Sequence, residues 1–140
     1  MSEENVEVVR RLLGGFQARF EHGNYGRGFE LGLVADDYEW VLEGESFEGR
    51  SVWRGREEWV EFMRLWTEQF DDFSFRVERL IDAGGDRVVA LVHQSGTGKE
   101  SGVPVEWDNG LLFELRDGRP VRATNYTSHA EALEAAGHGD

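Results

Sequence analysis

The sequence predicts an α+β fold in which helices pack on one face of a curved antiparallel sheet. Three observations predict this fold. Apolar residues recur at helical spacing in the first half of the chain, the period drops to two from Phe73 onward, and the strands follow the helices without strand–helix alternation. The chain of 140 residues shows no internal repeat and no linker, so one domain spanning residues 1–140 is expected.

Composition and charge exclude several classes of function. The chain has no cysteine, which excludes disulfides, thiolate catalysis and cysteine-based zinc sites. The net charge is −13, with 28 acidic residues against 15 basic ones, so neither nucleic acid nor a membrane is expected as a partner. No apolar run approaches the ~20 residues of a membrane span, and the acidic start "MSEENVEVVRRLL" does not fit a signal peptide. The expected location is the cytoplasm.

The first predicted element is a helix with an apolar stripe at steps of three and four residues: Val6, Val9, Leu13, Phe16 and Phe20. Gly14 and Gly15 weaken its middle, and "HGNYGRG" ends it. A short helix or turn, "FELGLVADD", then leads to a first strand, "YEWVLE".

A loop that contains Trp53 precedes a long helix that begins near Gly55. The apolar stripe of this helix is Trp59, Phe62, Met63, Trp66 and Phe70. Alternation then predicts a run of antiparallel strands joined by turns: "FSFRVERLID", "RVVALVHQSGTG", "VPVEWDNGLLFELR" and "VRATNYT". Ser128 and Glu131 form a capping box that starts a last short helix, "HAEALEAAG".

Five segments of the chain resemble the SnoaL-like branch of the nuclear-transport-factor-2-like (NTF2-like) superfamily: "SEENVEVVRRLL", "DDYEW", "WRGREEWVEFM", "DRVVALV" and "LRDGRPVRATNYTSHAEALEAAG". The resemblance runs from residue 3 to about residue 137 and lies in the order and spacing of the segments. It implies a cone-shaped fold, in which about three helices pack on the concave face of the sheet around an apolar pocket, with a short C-terminal helix. It also implies a homodimer formed through the outer face of the sheet.

Members of this superfamily include ketosteroid isomerases, epoxide hydrolases, polyketide cyclases and plain binding domains. The acid–base enzymes among them resemble one another in placing a carboxylate on the inner face of the late strands. The matching position here is Asn125, and an amide cannot shuttle protons at neutral pH. This difference weighs against isomerase or cyclase chemistry.

Strand parity predicts which side chains face the pocket. In "EWDNGLLFELR" the more apolar face carries Asn109, so Asp108 is expected on the outer face, and the same parity places His93 outside. A register slip of one residue would turn His93 and Asp108 inward. The predicted ligand contacts are inward amides and aromatic residues: Tyr38, Trp40, Trp53, Phe62, Trp66, Gln94, Trp107, Asn109 and Asn125.

Groups that could carry chemistry are few. The candidates for acid–base catalysis are Glu43, His93 and Asp108. The four histidines lack metal-ligand spacing, and neither a metal nor a cofactor is expected. The segment "SGTGKESG" departs from the phosphate-binding loop pattern and is predicted to be a hairpin tip.

Three functions remain open. The chain could bind a small hydrophobic organic molecule without catalysis. It could instead be an isomerase, polyketide cyclase or epoxide hydrolase that uses acid–base chemistry in a dry cavity, or a structural protein whose pocket is filled by side chains. The inward amides favour binding.

Overall fold

The structure of the protein is a computed structural model that describes residues 2–137, so His138 lies outside the described residues. Its six strands are β1 Glu39–Leu42, β2 Val52–Arg54, β3 Phe70–Asp82, β4 Arg87–Gly98, β5 Pro104–Arg116 and β6 Arg119–Tyr126. They form one sheet in the order β2-β1-β6-β5-β4-β3. The predicted α+β class is confirmed.

Five helices accompany the sheet within residues 2–137: α1 Ser2–Gly14, α2 Phe16–Glu21, α3 Arg27–Glu30, α4 Gly55–Thr67 and α5 His129–Ala135. None of these helices is long and apolar enough to span a membrane. The predicted cap of the last helix is present, since Ser128 Oγ accepts a hydrogen bond from the Glu131 backbone N–H at 3.1 Å.

The predicted N-terminal helix is divided in two at Gly15, where the backbone adopts φ −100° and ψ 3°. Glycine favours such a break because its helix propensity is low. The Arg19 side chain folds back over this position, and a Cβ added to Gly15 would lie 2.5 Å from Arg19 Nη1. The same guanidinium donates to the carbonyl oxygen of Leu12 in the last turns of α1. The break therefore makes room for a charged side chain.

The sheet is mixed, which corrects the prediction of a wholly antiparallel sheet. β1 pairs in parallel with β6, while every other pair is antiparallel. The segment around Trp53, predicted as a loop, contains β2, in which Trp53 pairs with Trp40 of β1. A strand of three residues is too short for alternation to reveal it.

Strands β3 to β6 form the predicted antiparallel run. β3 begins at Phe70, three residues before its predicted start, and the pairing is irregular between Asp71 and Ser74. Asp72 adopts φ 55°, as expected of a bulge that interrupts alternation. The register pairs Gln94 with Trp107 and Leu111 with Asn125.

Apolar clusters cover both faces of the sheet. The inner face packs against α1 through a cluster that includes Val9, Val88, Val92, Leu111 and Phe113. The outer face packs against α5 through a cluster that includes Val89, Leu91, Leu112 and Ala132. The approach of α5 is so close that a Cβ added to Gly110 would lie 2.2 Å from the Cβ of Ala132. Helices therefore pack on both faces of the sheet.

Candidate functional site

A cavity of about 340 Å³ lies between the inner face of the sheet and the first four helices. This size is within the range of about 300–1,000 Å³ that is typical of small-molecule pockets. Eight of the nine predicted ligand contacts line it: Tyr38, Trp40, Phe62, Trp66, Gln94, Trp107, Asn109 and Asn125. That these residues contact a ligand stays a prediction.

Trp53 does not line the cavity, which corrects its place among the predicted contacts. The residue is 2% exposed, and its ring lies 5.3 Å from that of Phe62 between centroids. The guanidinium of Arg50 covers the indole at 4.2 Å from the ring centroid. Because β2 is an edge strand packed against α4, this side chain is buried behind the cavity wall.

Aromatic rings form a continuous part of the wall. On α4, Trp59 and Phe62 stack with centroids 5.9 Å apart, and Phe62 and Trp66 stack at 6.1 Å with planes only 7° apart. Trp40 of β1 meets Trp59 edge-on at 5.5 Å, and Trp107 of β5 meets Trp66 at 6.1 Å. Spacings of three and four residues place the helix rings on one side of α4. The wall thus offers flat apolar surface.

Three side-chain amides, which we call the amide patch, lie on neighbouring strands: Gln94 on β4, Asn109 on β5 and Asn125 on β6. Gln94 Nε2 donates to Asn109 Oδ1 at 2.5 Å, and Asn109 Nδ2 donates to the Tyr126 carbonyl oxygen at 3.3 Å. Asn125 Nδ2 donates to Glu45 Oε2 at 3.0 Å. Asn109 and Asn125 are both 5% exposed, as strand parity predicts for inward residues.

Two side-chain oxygen atoms of the amide patch can accept further hydrogen bonds. Gln94 Oε1 and Asn125 Oδ1 receive no hydrogen bond from the residues that the structure describes. The buried indole N–H of Trp40 also has no acceptor among them. The two amide oxygens can therefore accept hydrogen bonds from a bound molecule or water in the cavity.

Two charged residues on the cavity wall, Arg19 and Glu45, were missed by the sequence analysis. Arg19 is half-buried between Phe16 and Phe20 on α2, and desolvation lowers the pKa of its guanidinium. Its position in the helical apolar stripe was the signal that could have identified it. Glu45 lies in the turn after β1, where no periodicity applies.

Tyr38 is a second residue of the cavity wall whose pKa is shifted. The side chain is buried and lies edge-on to Phe29 and Trp59, with centroids 6.0 and 6.2 Å away. Burial raises the pKa of Tyr38 above its ordinary value of about 10. Its hydroxyl therefore stays neutral at physiological pH.

None of the three predicted acid–base candidates lines the cavity. His93 Nδ1 and Nε2 lie 2.7 Å from Asp108 Oδ1 and 2.9 Å from Glu106 Oε1, on the outer face of the sheet. The hydrogen bond to Asp108 raises the pKa of His93 and, as its largest cause, lowers the pKa of Asp108. Glu43 has an exposed side chain, and its backbone N–H donates to the Asn125 carbonyl oxygen. A catalytic role for these three residues stays a prediction.

The described residues bring one group of possible metal ligands together on the outer face. Donor atoms of Glu78, Asp108 and His129 lie within 4.8 Å of one another, on three separate elements. Asp108 already contacts His93, and His129 Nε2 donates to the Val92 carbonyl oxygen at 2.9 Å. Exposed carboxylates commonly gather without a metal, so this group carries no assignment.

Comparisons with known proteins agree with this architecture. A family model described as a SnoaL-like domain matches residues 14–123, whereas the search of curated proteins gave no match. An NTF2-like protein of unknown function from Burkholderia pseudomallei has a TM-score of 0.73 and 23% identity, with 96% of this chain and 97% of that chain covered.

Two further solved structures are similar over most of their length. TerC, co-crystallised with polyporic acid, has a TM-score of 0.72 and 20% identity, with coverage of 96% of this chain and 98% of that chain. A protein with a ketosteroid isomerase-like fold from Catenulispora acidiphila, in complex with trimethylamine, has a TM-score of 0.66 and 17% identity, covering 90% and 92%. At these identities the likeness shows the fold alone, which is the NTF2-like fold that the sequence predicted.

Proposed function

The chain belongs to the SnoaL-like domain family, and on that premise we propose that its cavity binds a small hydrophobic organic molecule. The observation that carries this proposal is the wall itself, where stacked aromatic rings adjoin the amide patch. Apolar cavities with a few placed polar groups are the usual form of small-molecule sites. The rings would supply apolar contact area, and the amides would orient the ligand.

The unused hydrogen-bonding groups indicate which polar atoms the ligand carries. Gln94 Oε1 and Asn125 Oδ1 accept hydrogen bonds, so they suit a hydroxyl or N–H group. A flat, mainly apolar molecule with a few oxygen functions matches this set.

Two of the similar structures support the class of ligand. TerC was co-crystallised with polyporic acid, and the Catenulispora acidiphila protein is in complex with trimethylamine. Both are small organic molecules. They support the binding of small organic molecules by proteins of this fold. Which molecule this chain binds depends on the residues of its own cavity.

A second candidate is an acid–base enzyme of the isomerase, polyketide cyclase or epoxide hydrolase type, acting on a hydrophobic molecule. The observation that favours it is Glu45, a carboxylate on the cavity wall that Asn125 Nδ2 contacts at 3.0 Å. A carboxylate beside a bound molecule can remove or return a proton. Binding stays the first proposal because Glu45 is exposed and no other carboxylate of the described chain lines the cavity.

Thermal shift of the purified chain tests the binding proposal. The panel contains steroids, polyketide-like aromatics, terpenoid epoxides and fatty acids, each at acid and neutral pH. Ligand at about 100 times Kd stabilises a folded protein by about 2.7 kcal/mol, which raises the melting temperature measurably. Every hit is repeated with Glu45→Gln, and turnover of that compound by the wild type but not by E45Q would favour the enzyme.

A substitution that fills the cavity links each hit to the site. Gly28 lines the cavity, and a Cβ added there would meet only Leu12 Cδ1 at 3.7 Å, an ordinary contact. Gly28→Phe should therefore abolish the shift, whereas the matched control Gly28→Ala should retain it. A panel without hits, or hits that persist in G28F, would contradict binding in this cavity.

The remaining expectations stay proposals alongside this function. They are a single domain, a cytoplasmic location and a homodimer formed through the outer face of the sheet. Helix α5 covers the outer face only in part, and paired charges such as Arg76 with Glu78 lie on that side. This leaves surface on which a second copy could pack.

A further inference from the structure

Arg19 is the one basic side chain of the described residues that lines the cavity. Its half-buried guanidinium lies over Gly15, where a Cβ would approach Nη1 to 2.5 Å, and donates to the Leu12 carbonyl oxygen. A guanidinium carries five N–H donors in a planar fork. The hydrogen bond to the Leu12 carbonyl oxygen uses only one of these donors.

No carboxylate of residues 2–137 lies within ion-pair distance of Arg19, although acids outnumber bases almost two to one in this chain. Nine other arginines do form such pairs, all of them at the surface. Desolvation alone lowers the pKa of Arg19, which is the behaviour of a cation that no nearby acid compensates. A desolvated cation without a counter-charge is costly, and an anion that enters the cavity would offset this cost.

Building on the proposed binding function, we propose that the ligand is an apolar organic acid whose single carboxylate pairs with Arg19 while its body lies against the aromatic wall. The planar guanidinium matches a carboxylate with two parallel hydrogen bonds. Affinity for the acid should therefore exceed affinity for its neutral analogue, through a contact sheltered from bulk water.

The competing explanation is that Arg19 only stabilises the C-terminal end of α1. A cation near the last carbonyls of a helix is favourable, and the contact with Leu12 is of this kind. Such a role predicts a loss of stability in an Arg19 variant. It predicts no preference between charged and neutral ligands, so a ratio of two affinities separates the explanations.

The test uses biphenyl-4-carboxylate and biphenyl-4-carboxamide, which have the same number of heavy atoms and differ in charge. Their Kd values are measured at neutral pH by calorimetry with the full chain. In the wild type the carboxylate should bind about tenfold or more tightly than the amide. Arg19→Gln should bring the ratio close to one, and the control Arg11→Gln, which removes the same charge from an exposed site on α1, should leave it unchanged.

Gly15→Ala provides a second variant that keeps the charge. Its added Cβ would displace the guanidinium, so the preference for the carboxylate should fall while binding of the carboxamide is retained. If the wild type binds the carboxamide as tightly as the carboxylate, or if R19Q melts earlier with the ratio intact, the acid proposal is overturned and the binding function stands. If neither probe binds, the acid proposal is also overturned, and the neutral members of the thermal-shift panel then test the binding function on their own.

Discussion

Neutral amides dominate the polar part of the cavity, and this choice of side chains decides how binding responds to pH. Gln94, Asn109 and Asn125 do not titrate, and burial raises the pKa of Tyr38 so that its hydroxyl stays protonated. The charge of the wall is therefore set by Arg19 and Glu45. Neither the amides nor the Tyr38 hydroxyl therefore changes its charge at neutral or mildly acid pH.

His93 gives rise to a pH dependence of stability on the outer face. Its hydrogen bond to Asp108, followed by that to Glu106, raises the pKa of the imidazole, against the effects of desolvation and of Arg76. Because the pKa of His93 is higher in the folded chain than in the unfolded chain, protonation of His93 stabilises the fold. This stabilisation is fully present below the pKa of the unfolded chain, about 6.5, and is lost as the pH rises through the pKa of the folded chain. His93→Gln should flatten the corresponding decline in the free energy of unfolding above about pH 6.5.

Urea denaturation at a series of pH values measures this effect. His22→Gln is the control, because His22 is exposed in the turn after α2 and makes none of these contacts. The decline should persist in that variant. If H93Q shows the same decline as the wild type, the His93–Asp108 contact does not contribute to the pH dependence of stability.

Long elements were predictable because their periodicity extends over many residues. The stripe of α4 and the alternation of β4 and β5 fixed which side chains point inward, so Gln94 and Asn109 could be placed on the cavity wall before the structure was known. Trp53, predicted as a ligand contact, lies outside the cavity lining, on a three-residue strand that periodicity did not predict.

The charged residues of the site depend on arrangements that periodicity does not encode. Glu45 lies in a turn, and its side chain reaches the wall only because β1 pairs in parallel with β6, which brings Asn125 beside it. The cavity position of Arg19 depends on the helix break at Gly15 and on the space above that glycine. The position of Glu45 thus follows from a contact between strands distant in sequence, and that of Arg19 from a local break in a helix. Local periodicity alone could not place either residue on the cavity wall.

The docking of α5 rests on a single glycine in β5. A Cβ at Gly110 would lie 2.2 Å from Ala132 Cβ and 3.2 Å from the Ser128 carbonyl oxygen. Gly110→Ala should force α5 away from the sheet and lower the free energy of unfolding by about 1–3 kcal/mol, as overpacking does. Urea denaturation measures the loss.

Gly14→Ala is the matched control for this substitution. Gly14 ends α1, and a Cβ added there meets nothing within 4 Å. Alanine has the higher helix propensity, so this variant should be neutral or more stable by up to about 1 kcal/mol. Equal stability of G110A and the wild type would show that α5 shifts at no cost.

At the scale of the whole molecule, the sheet separates two environments with different tasks. The outer face carries α5 and an exposed network of charges around His93 and Asp108. The inner face carries the cavity, the aromatic wall and the guanidinium of Arg19. Because the twelve- and thirteen-residue strands β4 and β5 contribute to both faces, a shift of one residue in their register would exchange the two environments.

The overall charge predicts how this molecule responds to salt. A net charge of −13 produces repulsion that destabilises the compact state. The exposed ion pairs oppose this repulsion, but each contributes only about 0–1 kcal/mol. Added salt screens the repulsion and the ion pairs alike. The Debye length falls from about 30 Å at 0.01 M to about 8 Å at 0.15 M. Salt therefore weakens the long-range repulsion more than it weakens ion pairs whose atoms are about 3 Å apart. The melting temperature should therefore rise between these NaCl concentrations.

The same series near the sequence pI of about 4.7, where the net charge vanishes, is the control and should show a smaller rise. A melting temperature that falls with salt at neutral pH would mean that the ion pairs outweigh the repulsion.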